Sequence, residues 1–174
     1  MAEERKNAAT LRGTPLTLVG PELKPGQKAP PFTLVGKDIT KPVTLDNFKG
    51  KVKIIASVPS LDTPVCDAET RRFNQEAAGL SGDVVILTVS MDLPFAQARW
   101  CGAAGVDKVV TLSDHRDGTF GESYGTLVKG LRLLSRAVFV ADRDDRLRHV
   151  EYVPEVGNQP NFDAVLTAAR QALA

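Results

Sequence analysis

The sequence predicts an α/β fold with a central, partly parallel sheet flanked by helices. Three observations carry this. Two long apolar runs, Lys51 to Val58 and Asp83 to Met91, read as buried central strands. Each is followed by a segment with helical spacing. The segments Leu134 to Ala141 and Leu147 to Val153, joined by the charged turn 142–146, read as an antiparallel hairpin added to the sheet. A four- or five-stranded central sheet follows from this order. The length, 174 residues, suits one domain over 1–174 with a full-sized core.

Taken along the chain, residues 1–8 are polar and expected to form a loose tail. Thr10 to Arg12 and Leu16 to Val19 flank Gly13-Thr14-Pro15 and read as a small β-hairpin. Pro21 to Gly26 is a connecting loop, and Phe32 to Val35 and Val43 to Leu45 read as short strands. After Lys51 to Val58, Pro59 ends the strand and Ser60 to Pro64 launches a helix. Thr63 suits the N-cap, Pro64 suits the first helical position, and Asp67 and Glu69 place negative charge near the helix start. Val65, Phe73 and Ala77 give an apolar face, and Gly79 is the expected stop. A second helix is expected from about Leu93 to Ala104, a strand over Val109 to Leu112, and a loop or short helix over Gly118 to Gly125. The last helix starts near Pro160, with Phe162, Val165, Leu166, Ala169 and Leu173 on one face.

Composition excludes several classes. A formal net charge of +1 gives no field to gather nucleic acid or anionic lipid. The cluster Lys49, Lys51, Lys53 is too short for a nucleic-acid patch and reads as a solvated strand entry. No apolar run matches a membrane span. Met1 to Thr10 lacks the apolar core of a secretory signal, so a cytoplasmic protein is expected. No dinucleotide or phosphate-binding fingerprint is present, so no cofactor is expected.

The two cysteines are too few for a secreted disulfide scaffold. With His115 and His149 they supply four metal ligands in type, but none falls at a recognised ligand spacing, so no metal is expected. The histidines read as surface or pairing residues. Cys66 is the informative one. Behind a Thr63 N-cap it sits in the first helical turn, where backbone N–H groups lack intrahelical partners and the helix dipole is positive. That setting favours the thiolate, which is the nucleophile. It also lies at the carboxyl end of a central strand, where open α/β sheets hold ligands. A small cysteine packed under a helix start gives the same pattern, so spacing alone leaves catalysis and packing both open.

Pro59-x-x-x-Thr63-x-x-Cys66 matches the active-site motif of the peroxiredoxins. The wider chain resembles their bacterial thiol peroxidase subgroup, the atypical two-cysteine type. The resemblance rests on Pro59 to Cys66 (PSLDTPVC), Asp92 to Gly102 (DLPFAQARWCG) and Ser135 to Val140 (SRAVFV), and runs from the N-terminal hairpin to the last helix. The segment Gly125 to Leu131 looks shorter than the subgroup's, and 36–43 looks one residue longer; both fall where loops are expected.

The resemblance implies a thioredoxin-like fold with an N-terminal β-hairpin, and a thiol-dependent peroxidase. It makes Cys66 the peroxidatic cysteine, oxidised to a sulfenic acid, and Cys101 the resolving cysteine that closes an intrachain disulfide. Thr63 is implied to donate a hydrogen bond to thiolate and peroxide, Arg136 to bring fixed positive charge, and Pro59 to shield the pocket. Sequence alone does not separate Arg136 from Arg71, Arg72, Arg99 or Arg132. The implied substrates are hydrogen peroxide and organic hydroperoxides, the implied reductant is thioredoxin, and the implied assembly is a homodimer. Phe95, Trp100 and Phe120 read as core residues or as an apolar wall for an alkyl peroxide or a dimer face. Two other readings use the same residues. A disulfide oxidoreductase without peroxidase activity would normally pair its cysteines within one helical turn. A non-enzymatic binding module would consume no peroxide.

Overall fold

A computed structural model describes residues 1–174. The two apolar runs form β5 (Val52–Ser57) and β6 (Val84–Ser90), which pair in parallel. All of β5 and the second half of β6 are buried, because both faces of the sheet are covered. The crossover between them is α1 (Pro64–Ala77), and α2 (Pro94–Ala104) leads from β6 to the parallel strand β7 (Val110–Ser113). On the other side of β5 lie β10 (Ala137–Ala141) and β11 (Leu147–Tyr152), both antiparallel to their neighbours. Two-residue strands β3 (Leu34–Val35) and β4 (Pro42–Val43) extend the far edge through β7. The sheet therefore has seven strands, in the order β11-β10-β5-β6-β7-β3-β4, rather than the expected four or five.

A second sheet of four strands joins β1 (Glu4–Leu11), β2 (Thr14–Val19), β8 (Leu127–Val128) and β9 (Leu133–Leu134). The opening residues are not a loose tail, since β1 begins at Glu4. Arg5 anchors it by donating to the Gly20 and Gly125 carbonyls at 3.0 and 2.5 Å. The hairpin turn is Arg12-Gly13, both at positive φ (50° and 80°), the geometry that matches strand twist in a two-residue turn. The run Leu134 to Ala141 is not one strand. Leu134 pairs in the small sheet and Ala137 in the large one, so Ser135-Arg136 is the crossing between sheets.

The large sheet separates two apolar clusters of sixteen buried residues each. One contains Phe32, Phe120, Tyr124 and Phe139, with Phe120 and Tyr124 stacked 4.3 Å apart. Phe120 lies at the start of the short helix α3 (Thr119–Ser123). The other lies under α1, α2 and α4 (Phe162–Leu173) and contains Cys66, Phe73, Trp100, Val165 and Leu166. Asn161 caps α4, its side chain accepting from the Ala164 N–H at 3.0 Å. Lys53 is not a solvated entry residue. It is fully buried on β5, and its ammonium lies 2.5 Å from Asp145 in the charged turn. Lys49 and Lys51 are exposed as expected. No helix is long and apolar enough to cross a membrane.

Candidate active site

The site is assembled where the carboxyl end of β5 meets the crossing between the two sheets. Pro59 is half-buried just beyond the end of β5. The loop behind it is held by Asp92, whose carboxylate accepts from the Ser60 hydroxyl at 2.7 Å, the Leu61 N–H at 2.8 Å and the Ser90 hydroxyl at 2.8 Å. α1 starts at Pro64 as predicted. Thr63 holds the N-cap position, but its side chain makes no cap bond. It is exposed and donates instead to the Ser60 carbonyl at 2.8 Å. The Asp67 N–H makes the first helical bond, to the Thr63 carbonyl at 2.9 Å. The Val65 and Cys66 N–H groups therefore lie in the unpaired first turn, where the dipole is positive.

Cys66 is a free thiol, fully buried. Arg136, itself 1% exposed, donates through Nη2 to the Cys66 sulfur at 3.2 Å. Its Nε donates to the Val156 carbonyl at 2.9 Å, and its Nη1 to Glu69. Three fixed bonds aim the guanidinium, a task the planar fork of arginine suits. The other arginines are accounted for elsewhere. Arg71 pairs with Asp67, Arg72 with Glu76 and Arg99 loosely with Asp62, while Arg132 donates to the His115 carbonyl.

Glu69 lies one turn beyond Cys66 on the same helix face and is fully buried. Read from sequence it was a helix-start charge; the structure makes it the counter-ion of Arg136. Burial pushes its carboxyl up to about 7, against the lowering effect of Arg136, and the nearby Glu151 charge adds to the rise. Its second oxygen has no hydrogen-bond partner. The spacing from Cys66, one helical turn, was the sequence signal that could have marked it.

Cys101 sits in the last turn of α2, half-buried, with its sulfur 3.7 Å from the Thr111 hydroxyl. It lines an open groove of ≈ 960 Å³ with Val43, Phe48, Gln97 and Leu112. Neither Cys66 nor Arg136 faces that groove. The structure thus brings Cys66 and Arg136 together, sets Pro59 and Thr63 in the adjoining loop, and leaves Cys101 as a second free thiol on a different helix. Of the aromatic residues, Phe120 is core, Trp100 is nearly buried and Phe95 is 67% exposed. His115 contacts the Ser113 hydroxyl at 2.8 Å and so is a pairing residue, while His149 Nε2 lies 3.7 Å from Glu151 without a hydrogen bond.

The Redoxin family model matches residues 24–166. A thiol peroxidase of Halalkalibacterium halodurans is 56% identical over 94% of this chain and 98% of its own length. The thiol peroxidase of Bacillus subtilis is 55% identical over 92% and 95%. Among solved structures, a peroxiredoxin-like protein from Aquifex aeolicus superposes with a TM-score of 0.88 at 41% identity, covering 98% of this chain and 99% of that one. Family model, full-length relatives and fold agree, and the chain belongs to the redoxin family as one of its thiol peroxidases.

Proposed function

We propose that this enzyme reduces hydrogen peroxide and organic hydroperoxides with Cys66 as the attacking thiolate. The observation that carries the assignment is the buried Arg136 guanidinium 3.2 Å from the Cys66 sulfur. A fixed positive charge in a site of low dielectric stabilises the negative charge that passes from sulfur to oxygen during the attack, and it costs no reorganisation during reaction. The helix start adds to the same field. The thiolate attacks one peroxide oxygen. A sulfur–oxygen bond forms, the oxygen–oxygen bond breaks, and an alcohol or water leaves after taking a proton. Negative charge develops on the leaving oxygen near Arg136. Thr63 would exchange its bond to the Ser60 carbonyl for one to the reacting sulfur or peroxide, and Pro59 would keep bulk water off the pocket.

The sulfenic acid on Cys66 then condenses with the Cys101 thiol, forming a disulfide and releasing water. Bridging requires Cα atoms within about 7 Å, so at least one of the two helix segments must unwind. An external dithiol of the thioredoxin class reduces the disulfide by exchange. The chain works in a reducing cytosol, where a cysteine pair is redox-active rather than structural. A homodimer is the assembly proposed, supported by the resemblance and by the exposed Leu93 and Phe95 at the start of α2. Sedimentation tests it.

The assay is peroxide consumption with thioredoxin, thioredoxin reductase and NADPH, beside Cys66→Ser. Rapid consumption lost in the variant supports the assignment. Equal consumption by both would overturn it.

A further inference from the structure

We infer that the hydrogen bond from Trp100 Nε1 to Asp67 is a latch that sets how fast the oxidised Cys66 can reach Cys101. The inference rests on the resolving role proposed for Cys101. Asp67 follows Cys66 directly on α1, and Trp100 directly precedes Cys101 on α2. Their side chains meet at 2.8 Å. Arg71 braces the pair: its Nε donates to the other Asp67 oxygen at 2.8 Å, its guanidinium lies over the indole 5.7 Å from the ring centre, and it donates to the Ala104 carbonyl at 3.2 Å. One turn on, Asn74 accepts from the Asp107 and Lys108 N–H groups at 3.2 and 2.7 Å.

Asp67, Arg71 and Asn74 fall on one face of α1 and stitch it to α2 and the loop beyond. Arg71 and Asn74 hold the body of α1, whereas Asp67 holds the turn that carries Cys66. The bond that must yield first is therefore the one between the neighbours of the two cysteines. Trp100 is also 9% exposed and shares an apolar cluster with Cys66, so opening exposes the ring.

The latch acts on a branch point. In one branch the Cys66 sulfenic acid and the Cys101 thiol condense, forming a disulfide and releasing water. In the other a second peroxide gives an oxygen to the unresolved sulfenate, yielding a sulfinic acid and an alcohol or water. A closed latch holds Cys66 under Arg136 and favours peroxide capture; an open one favours resolution. While the open state is the minor one, raising its population changes the rate of resolution in proportion and the captured fraction hardly at all.

The test uses the full chain with Asp67→Ala, Trp100→Phe and Asp67→Asn. The first removes the acceptor. The second keeps the ring and removes the donor. The third keeps an acceptor for the indole and serves as a partial rescue. Peroxide is titrated against each protein, and disulfide and sulfinic forms are resolved by mass spectrometry. The single tryptophan reports opening by stopped-flow emission in the wild type and both Asp67 variants. Asp67→Ala and Trp100→Phe are expected to speed disulfide closure about tenfold and to raise by the same factor the peroxide needed for half sulfinic conversion. That is the low end for a hydrogen bond to a charged acceptor, since the Asp67 side chain is 33% exposed. Asp67→Asn, which keeps the acceptor without its charge, should fall between wild type and Asp67→Ala. If both disrupting variants partition like a wild type that does form the disulfide, the latch is refuted alone. A wild type that never forms the Cys66–Cys101 disulfide removes the resolving reaction and the latch together.

Discussion

Replacing Arg136 by Met separates the structural from the chemical work of this residue. The guanidinium makes three bonds, to Cys66, Glu69 and the Val156 carbonyl. Without it, Glu69 is left fully buried with neither oxygen paired. Breaking one side of a buried ion pair costs about 3–5 kcal/mol, and uptake of a proton by Glu69 sets the low end. For a chain of this length each 1 kcal/mol moves the melting midpoint by roughly 2–4 °C, so a drop of about 6–20 °C is expected. Adding Glu69→Leu removes the orphaned carboxylate and should recover more than half of the loss. The remainder is the stranded Val156 carbonyl, about 1 kcal/mol, the low end for an unpaired buried acceptor. Chemistry should respond differently. A charge-assisted bond of about 1.5–3 kcal/mol corresponds to roughly a 10- to 150-fold slower oxidation of Cys66. The second substitution cannot restore it, because no cation returns to the sulfur. Urea unfolding and single-turnover thiol oxidation on the two variants read both effects. A double variant that regains its oxidation rate along with its stability would refute the assignment of charge stabilisation to Arg136.

Other outcomes follow from the same geometry. Because the folded Glu69 carboxyl is raised from 4.5 to about 7, the native state binds more protons than the unfolded chain between those values. Its contribution to stability is therefore fully present below pH 4.5 and lost as pH rises through 7; Glu69→Gln should flatten that slope in unfolding titrations. Glu155 behaves oppositely. Bonds from Thr10 and the Arg12, Gly13 and Gly157 N–H groups lower its carboxyl to about 2, so its hold on the N-terminal hairpin persists above pH 4.5 and is lost as pH falls towards 2. Amide exchange at Arg12 and Gly13 should rise first in acid. Replacing the pair together, Lys53→Met with Asp145→Ala, should change stability by less than about 1 kcal/mol or improve it, whereas Asp145→Ala alone, which leaves the buried ammonium only the Asp142 carbonyl at 3.4 Å, should cost about 3 kcal/mol.

The elements legible in the sequence were those whose apolar runs or periodicity declare them: β5, β6, the helices after them and α4. β1 was not legible. Its residues ERKNAATL carry little apolar pattern, because the strand lies at a sheet edge and much of it faces solvent. The break at Ser135-Arg136 escaped notice because both flanking pieces are buried and apolar, so a change of sheet leaves no mark in the pattern. Lys53 and Glu69 look like ordinary surface charges until the fold supplies Asp145, 92 residues away, and Arg136, 67 residues away. Thr63 was rightly placed at the helix start, but its hydroxyl turns to the Ser60 carbonyl instead of capping. Cys66 and Arg136, which lie in two distant blocks of the sequence, meet in space at 3.2 Å.

The measurement closest to the central claim is peptide mass spectrometry of the reduced protein after one equivalent of hydrogen peroxide, beside Cys101→Ser. The account predicts a Cys66–Cys101 cross-linked peptide in the wild type and a Cys66 peptide carrying one added oxygen in the variant. Oxygen found on Cys101 while Cys66 stays a free thiol would contradict it.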